Sequence, residues 1–188
     1  PNVDEGGDKD AAEARAVDRE LEEAARRFVD ATGDRAAILG SGDGRFECWI
    51  WPLQICRDLR LEFRPAGRAT AIRGHDIASL VSVEPHRLIL RYTHQDFTVD
   101  QEIFCARDRR VLIQRLWIDC QEPLDVAWSL IPTLNPMWPA GLGGQIMRRD
   151  TETGALILTE ERGRFAAIMG TAEMSGALAI DRGFGADP

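Results

Sequence analysis

An all-β fold, two antiparallel sheets packed face to face and preceded by one amphipathic helix, is what this sequence predicts. Three observations predict it. From Ala36 onward, short segments alternate apolar with polar residues, the period of a strand with one buried face. Turn chemistry separates them at short intervals, so consecutive segments pair antiparallel, and two packed sheets bury both apolar sets. The only stretch with a helical period lies before residue 33. With 188 residues and 44% hydrophobic content the chain suits one domain with a real core.

The elements follow in order. Residues 1–10, PNVDEGGDKD, are acidic and glycine-containing and read as a disordered tail. Residues 11–33 read as the helix. Val17, Leu21, Ala24 and Phe28 fall on one stripe, the pairs Glu22/Arg26 and Glu23/Arg27 support the wet side, and Gly33 is a plausible stop. Packing against the following domain and binding a partner helix-first are both open for that stripe. Residues 34–188 form the β-domain. Ser41-Gly-Asp-Gly44 is a turn, and Arg45–Pro52 is a strand apolar on both faces except at Glu47. Leu59, Leu61 and Phe63 alternate with Arg60, Glu62 and Arg64 up to Pro65. Further strands are expected over 69–73, 78–84, 87–93, 97–105, 110–120, 124–132, 155–160, 164–170 and 176–180. Between the expected strands 124–132 and 155–160 lies a loop, Asn135-Pro-Met-Trp-Pro-Ala-Gly-Leu-Gly-Gly-Gln145. Its prolines fix φ around Trp138 and its glycines permit a close backbone approach, so it is expected to be an ordered bracket for that ring.

A net charge of −8 argues against nucleic acid or an anionic membrane as partner, because both attract basic surface. No apolar run reaches the roughly 18 residues of a membrane span. Cys48, Cys56, Cys105 and Cys120 contain no Cys-x-x-Cys pair and sit mostly in apolar strands. They read as buried free thiols, which points to a reducing compartment such as the cytoplasm, with periplasm and exterior as alternatives.

The candidate chemistry is sparse. His75, His86 and His94 occupy three different turns and read as solvated; their spacing is not that of a metal site, and no metal or cofactor is expected. Gly141-Leu-Gly-Gly144 lacks the order of a phosphate loop. Glu47 lies between apolar residues next to Trp49 and Trp51. Burial there raises a carboxyl pKa, as a general acid requires; the opposite reading is a strand-edge Glu facing water or pairing with Arg45 or Arg57. Trp49, Trp51 and Trp138 serve either as core or as flat platforms for sugar rings, with Asn135 and Gln145 supplying amides to the loop's own carbonyls or to sugar hydroxyls.

Three stretches carry a resemblance: Gly44-Arg-Phe-Glu-Cys-Trp-Ile-Trp-Pro-Leu-Gln-Ile55 with Leu61-Glu-Phe-Arg-Pro65, Asp96-Phe-Thr-Val-Asp-Gln-Glu-Ile-Phe104, and Pro132-Thr-Leu-Asn-Pro-Met-Trp-Pro-Ala-Gly-Leu-Gly-Gly-Gln145. Over roughly residues 36–180 the chain resembles the N-terminal region of bacterial glycogen-debranching-enzyme-like (amylo-α-1,6-glucosidase-like) glycoside hydrolases. The resemblance implies a galactose-mutarotase-like β-supersandwich. It also implies a following (α/α)6 barrel that holds the catalytic carboxylates, so it assigns no catalytic residue here. Such a barrel needs about 350 to 400 further residues, and the chain reads as cut before it.

The expectation is a non-catalytic domain that packs on the catalytic domain and shapes its cleft. Its partners would be that domain and an α-glucan or oligosaccharide, contacted through Trp138, Asn135, Gln145, Trp49, Trp51 and Glu47. The alternative is a stand-alone carbohydrate-binding module using exposed tryptophans. A third, a small mutarotase-like enzyme, needs a convergent His and acid that the sequence does not assemble.

Overall fold

The computed structural model describes residues 27–136 and 144–171. Among them the regular structure is antiparallel β, apart from one short 3-10 turn at Gly74–Asp76. The strands are β1 (Phe28–Thr32), β2 (Ala36–Ser41), β3 (Phe46–Ile50), β4 (Leu53–Pro65), β5 (Ile72–Arg73), β6 (Ala78–Glu84) and β7 (Arg87–His94). They continue with β8 (Phe97–Cys105), β9 (Leu112–Cys120), β10 (Leu124–Pro136), β11 (Gln145–Arg149), β12 (Leu156–Glu160) and β13 (Ala166–Met169). Sheet A runs β1-β2-β3-β4-β10, with β5 on β4; sheet B runs β6-β7-β8-β9; sheet C runs β11-β12-β13. The expected pair of sheets is therefore three. Alternation along a strand says which face is buried but not which sheet the strand joins. Sheet C adds Leu156 and Leu158 to the common core.

The N-terminal element needs correction. Residues 11–26 of the expected helix, like the tail 1–10, lie outside the described residues, and the final turn of that helix is strand β1. Val29 and Ala31 are buried while Phe28, Asp30 and Thr32 face water, which is a period of two. Phe28, the last member of the helical stripe, is 67% exposed. Pairing with β2, Phe28 opposite Ser41 through Thr32 opposite Ala37, satisfies the backbone that a helix would have satisfied internally. The expected strand 176–180 also lies outside the described residues.

The core sits between sheets A and B. Val29, Ile38, Phe46, Leu59, Leu61 and Phe63 come from one side and Leu88, Leu90, Tyr92, Phe97, Val99 and Ile103 from the other. Burying a large apolar side chain contributes about 1.5–3 kcal/mol, so these residues hold the sheets together. Phe63 is the pin, with ring centroids 5.3 Å from Tyr92 and 5.2 Å from Phe97. Tyr92 brings a hydroxyl into this layer, and it needs a partner. It donates to Gln101 Oε1 at 2.6 Å; Gln101 donates to Gln114 Oε1 at 2.9 Å, and the Trp128 indole donates to the same oxygen at 2.9 Å. That chain ties β10 of sheet A to β9 of sheet B at the rim. Burial also pushes the Tyr92 hydroxyl pKa well up.

The β2–β3 turn is fixed by Asp43, whose carboxylate accepts from the Ser41 hydroxyl, from the Arg45 backbone N–H at 3.1 Å and from Arg45 Nε at 2.8 Å. Gly44 follows with φ +92°, and a Cβ there would stand 2.4 Å from the Tyr92 hydroxyl. Both conformation and space demand glycine.

Candidate functional site

The outward face of sheet A gathers three of the residues singled out in the sequence, Glu47, Trp49 and Asn135. Along β3, Phe46 and Cys48 point into the core, which turns Glu47 and Trp49 outward. The Trp51–Pro52 turn, whose peptide is cis, sets Ile50 opposite Leu53 and Trp49 opposite Gln54. Gln54 in turn lies opposite Asn135 of β10, and Trp49 opposite Ala37 of β2. One row therefore crosses four strands: Ala37, Trp49, Gln54, Asn135. Glu47 stands two residues before Trp49, on the same face. Its Oε2 accepts from the Trp49 indole at 3.0 Å and from the Gln54 amide at 3.1 Å.

Glu47 is thus neither a buried acid nor an arginine partner. It faces water, as the alternative reading had it, and is bound to two neutral donors. Trp49 is half-buried against the sheet. Trp51 is 56% exposed and sits in the turn rather than on the strand face, with its backbone N–H on the Arg35 carbonyl at 2.9 Å. Asn135 is exposed at the far end of the row. Gln145 is not brought to it: it opens β11 in sheet C, opposite Glu160. Both ends of the expected Asn135–Gln145 loop are therefore strand, and Trp138 with its neighbours lies outside the described residues.

Two bulges in the β4–β10 pairing lie beside this row. On β4, Arg57 faces Ile131 and Arg60 faces Ser129, so β4 holds one extra residue there. Asp58 lies in that bulge with φ +51°. On β10, Pro132 faces Cys56 and Asn135 faces Gln54, so the extra residue is on β10, and Leu134 has φ +41°. Left-handed non-glycine residues cost on the order of 1–3 kcal/mol each, and bulges re-aim the side chains beside them. Thr133 holds the second bulge by donating to the Gln54 carbonyl at 3.0 Å. The first is held by Arg60, which pairs with Asp58 and reaches Glu62 Oε1 at 3.4 Å. Beside Glu47 a shallow depression of about 450 Å3 is lined by Phe28, Leu39, Arg45, Phe46, Glu47 and Asp58.

Gln54 and Asp58 were missed in the sequence. A two-residue turn at Trp51–Pro52 dictates the Trp49–Gln54 pairing, so Gln54 carried a usable signal; the bulge at Asp58 carried none. Beneath the row, Cys48 and Cys56 oppose each other in the core. The Cys48 thiol is pushed up by its contact with Cys56 first and burial second. Cys105 is pushed up to about 11, chiefly by burial. All four thiols are free, and Cys120 is exposed rather than buried.

The histidines are not uniformly solvated. His86 is, but His94 is mostly covered, stacked on Phe97 with ring centroids 5.0 Å apart, and His75 is mostly covered too. Among the described residues no three of His, Cys, Asp and Glu converge as metal ligands, and no helix is long and apolar enough to cross a membrane. What the surface presents chemically is a carboxylate, two amides and an indole on one face of the sheet. No protein-family model, curated protein or solved structure matches the chain.

Proposed function

We propose that this chain is a non-catalytic β-sandwich domain of a carbohydrate-active protein, with the outer face of sheet A contacting the saccharide. The observation that carries the reading is the row Trp49–Gln54–Asn135 with Glu47 alongside it. Sugars present alternating C–H faces and hydroxyls, and an indole flanked by amide and carboxylate groups meets both. The depression beside Glu47 is shallow, which suits a chain passing over a surface better than a small molecule enclosed by it. The resemblance to debranching-enzyme-like hydrolases narrows the ligand to an α-glucan and the fold to the supersandwich, and makes a catalytic barrel the covalent neighbour.

A docking role for the same domain is favoured by sheet C. Ile146 and Ile168 are 52% and 72% exposed, and Ile157 lies opposite Ile168 on the central strand. Apolar residues shared across three strands are what a covering domain would bury. The two roles use different faces and are compatible.

Calorimetric titration with maltooligosaccharides tests the sugar contact. Binding by the wild type, lost in Trp49→Ala and in Asn135→Ala with the melt retained, is the expected result. No binding by the wild type overturns it. Hydrolysis of maltooligosaccharides and aryl glycosides by this polypeptide should stay at background, and activity abolished by Glu47→Gln would overturn the non-catalytic reading.

A further inference from the structure

We infer that the free edge of β9 pairs with the same edge of a second copy of this chain, joining two four-stranded B sheets into one. The backbone shows which groups are on offer. The Ala106 N–H donates to the Val111 carbonyl at 3.0 Å and the Gln121 N–H to the Asp96 carbonyl at 3.2 Å. Both contacts continue the β8–β9 register, in which Ile113 faces Phe104 and Trp117 faces Asp100. Antiparallel ladders alternate bonded and non-bonded pairs, so Ile113, Arg115, Trp117 and Asp119 bond to β8. Leu112, Gln114, Leu116, Ile118 and Cys120 therefore direct their N–H and C=O groups away from β8, where among the described residues no strand follows. Such an edge is a template for another strand; this one contains no proline and no lysine, and its two charges, Arg115 and Asp119, are opposite in sign. Large apolar side chains are open on both of its faces, with Ile113 36%, Trp117 52% and Ile118 45% exposed.

Symmetry and charge select the partner. A two-fold axis perpendicular to the sheet keeps the same face outward in both copies, so the axis must pass through a residue. With Trp117 on the axis, Arg115 faces Asp119 of the second copy, Leu116 faces Ile118, and Gln114 faces Cys120. The outward N–H and C=O groups then meet each other, because Leu116, Ile118, Gln114 and Cys120 all carry free edge groups. An axis through Arg115 sets that guanidinium against itself. One through Leu116 sets Asp119 against Ile113, and one through Ile118 sets it against Trp117. Of these registers only the Trp117 axis joins opposite charges and apolar pairs together.

The test is light scattering and sedimentation of the chain across concentration, with variants at exposed positions. The wild type should be a dimer. Asp119→Lys should weaken it by about tenfold or more, since two cross-strand attractions become repulsions, while Asp119→Glu should not. In a Cys120→Ser background, Trp117→Cys should form a covalent dimer on mild oxidation with copper phenanthroline. Facing non-bonded pairs lie about 4.5 Å apart at Cα, within disulfide range. Ile113→Cys, displaced from the axis, should not cross-link. A monomer throughout would overturn the inference. So would a dimer that ignores Asp119→Lys, or one that cross-links through Ile113→Cys and not Trp117→Cys.

Discussion

The outer faces of sheets A and B are built on the same pleat, yet they pair their polar groups differently. On sheet B, Arg91 grips Asp100 through Nε and Nη2 at 2.7 and 2.8 Å. One row away, Glu84, Arg87, Glu102 and Arg115 form a ladder across all four strands, and Arg115 also lies over the Phe104 ring at 4.9 Å. On sheet A, around Glu47, the partners are an indole and an amide, and the flanking strands are bulged. A charged ladder satisfies itself and rigidifies a regular sheet. Neutral donors on one carboxylate leave hydrogen-bonding capacity for something outside. On the proposed function, the contrast separates a face that is self-satisfied from one with hydrogen-bonding capacity to spare.

Both faces rest on one core, and its failure should mask the contrast. Phe63→Ala removes the ring that touches Tyr92 and Phe97 and should cost about 3–5 kcal/mol in chemical denaturation. Next in size is Glu102→Ala on sheet B. Its carboxylate is only 5% exposed and serves both Arg87 and Arg115, so the loss should be about 1–3 kcal/mol. The matching deletion on sheet A, Glu47→Ala, removes an exposed group and should change stability by under about 0.5 kcal/mol. Equal costs at the two positions would erase the distinction.

The smallest expected effect is in pH. Arg91 holds the Asp100 carboxyl below the usual range, and Arg87 does the same for Glu84. Folded-state values below the unfolded ones mean that this contribution is fully present above pH about 5 and is lost as pH falls through the depressed values. Exposed pairs contribute little, so Asp100→Asn should flatten the acid limb of the stability profile by no more than about 1 kcal/mol. A steeper acid limb in that variant would contradict the assignment.

Legibility in the sequence followed burial. Strands β7 and β8 were readable almost to the residue because one face is buried along most of their length, and β6, only partly buried, was bounded by the short turns on either side of it. β11 was missed because Gln145-Ile-Met-Arg-Arg149 is exposed at four of five positions and so has no alternation to detect. β1 was misread because Phe28 fits a helical stripe as well as a strand, and only Val29 and Ala31 tell the two apart. At the site, Glu47 and Trp49 sharing a face followed directly from a period of two. Asn135 joining them did not: that depends on a long-range register and on bulges at Asp58 and Leu134, where no glycine announces a positive φ.

The most direct test of the recognition surface is an amide-and-indole NMR titration of the chain with a maltooligosaccharide. The five tryptophans provide separate indole reporters, and among the described residues only Trp49 donates to Glu47. The account predicts that the Trp49 indole, the Gln54 side-chain amide and the Asn135 amide shift together and saturably, while the Trp117 and Trp128 indoles stay in place. Shifts confined to Trp117 and its neighbours on sheet B, or none at any ligand concentration, would contradict it.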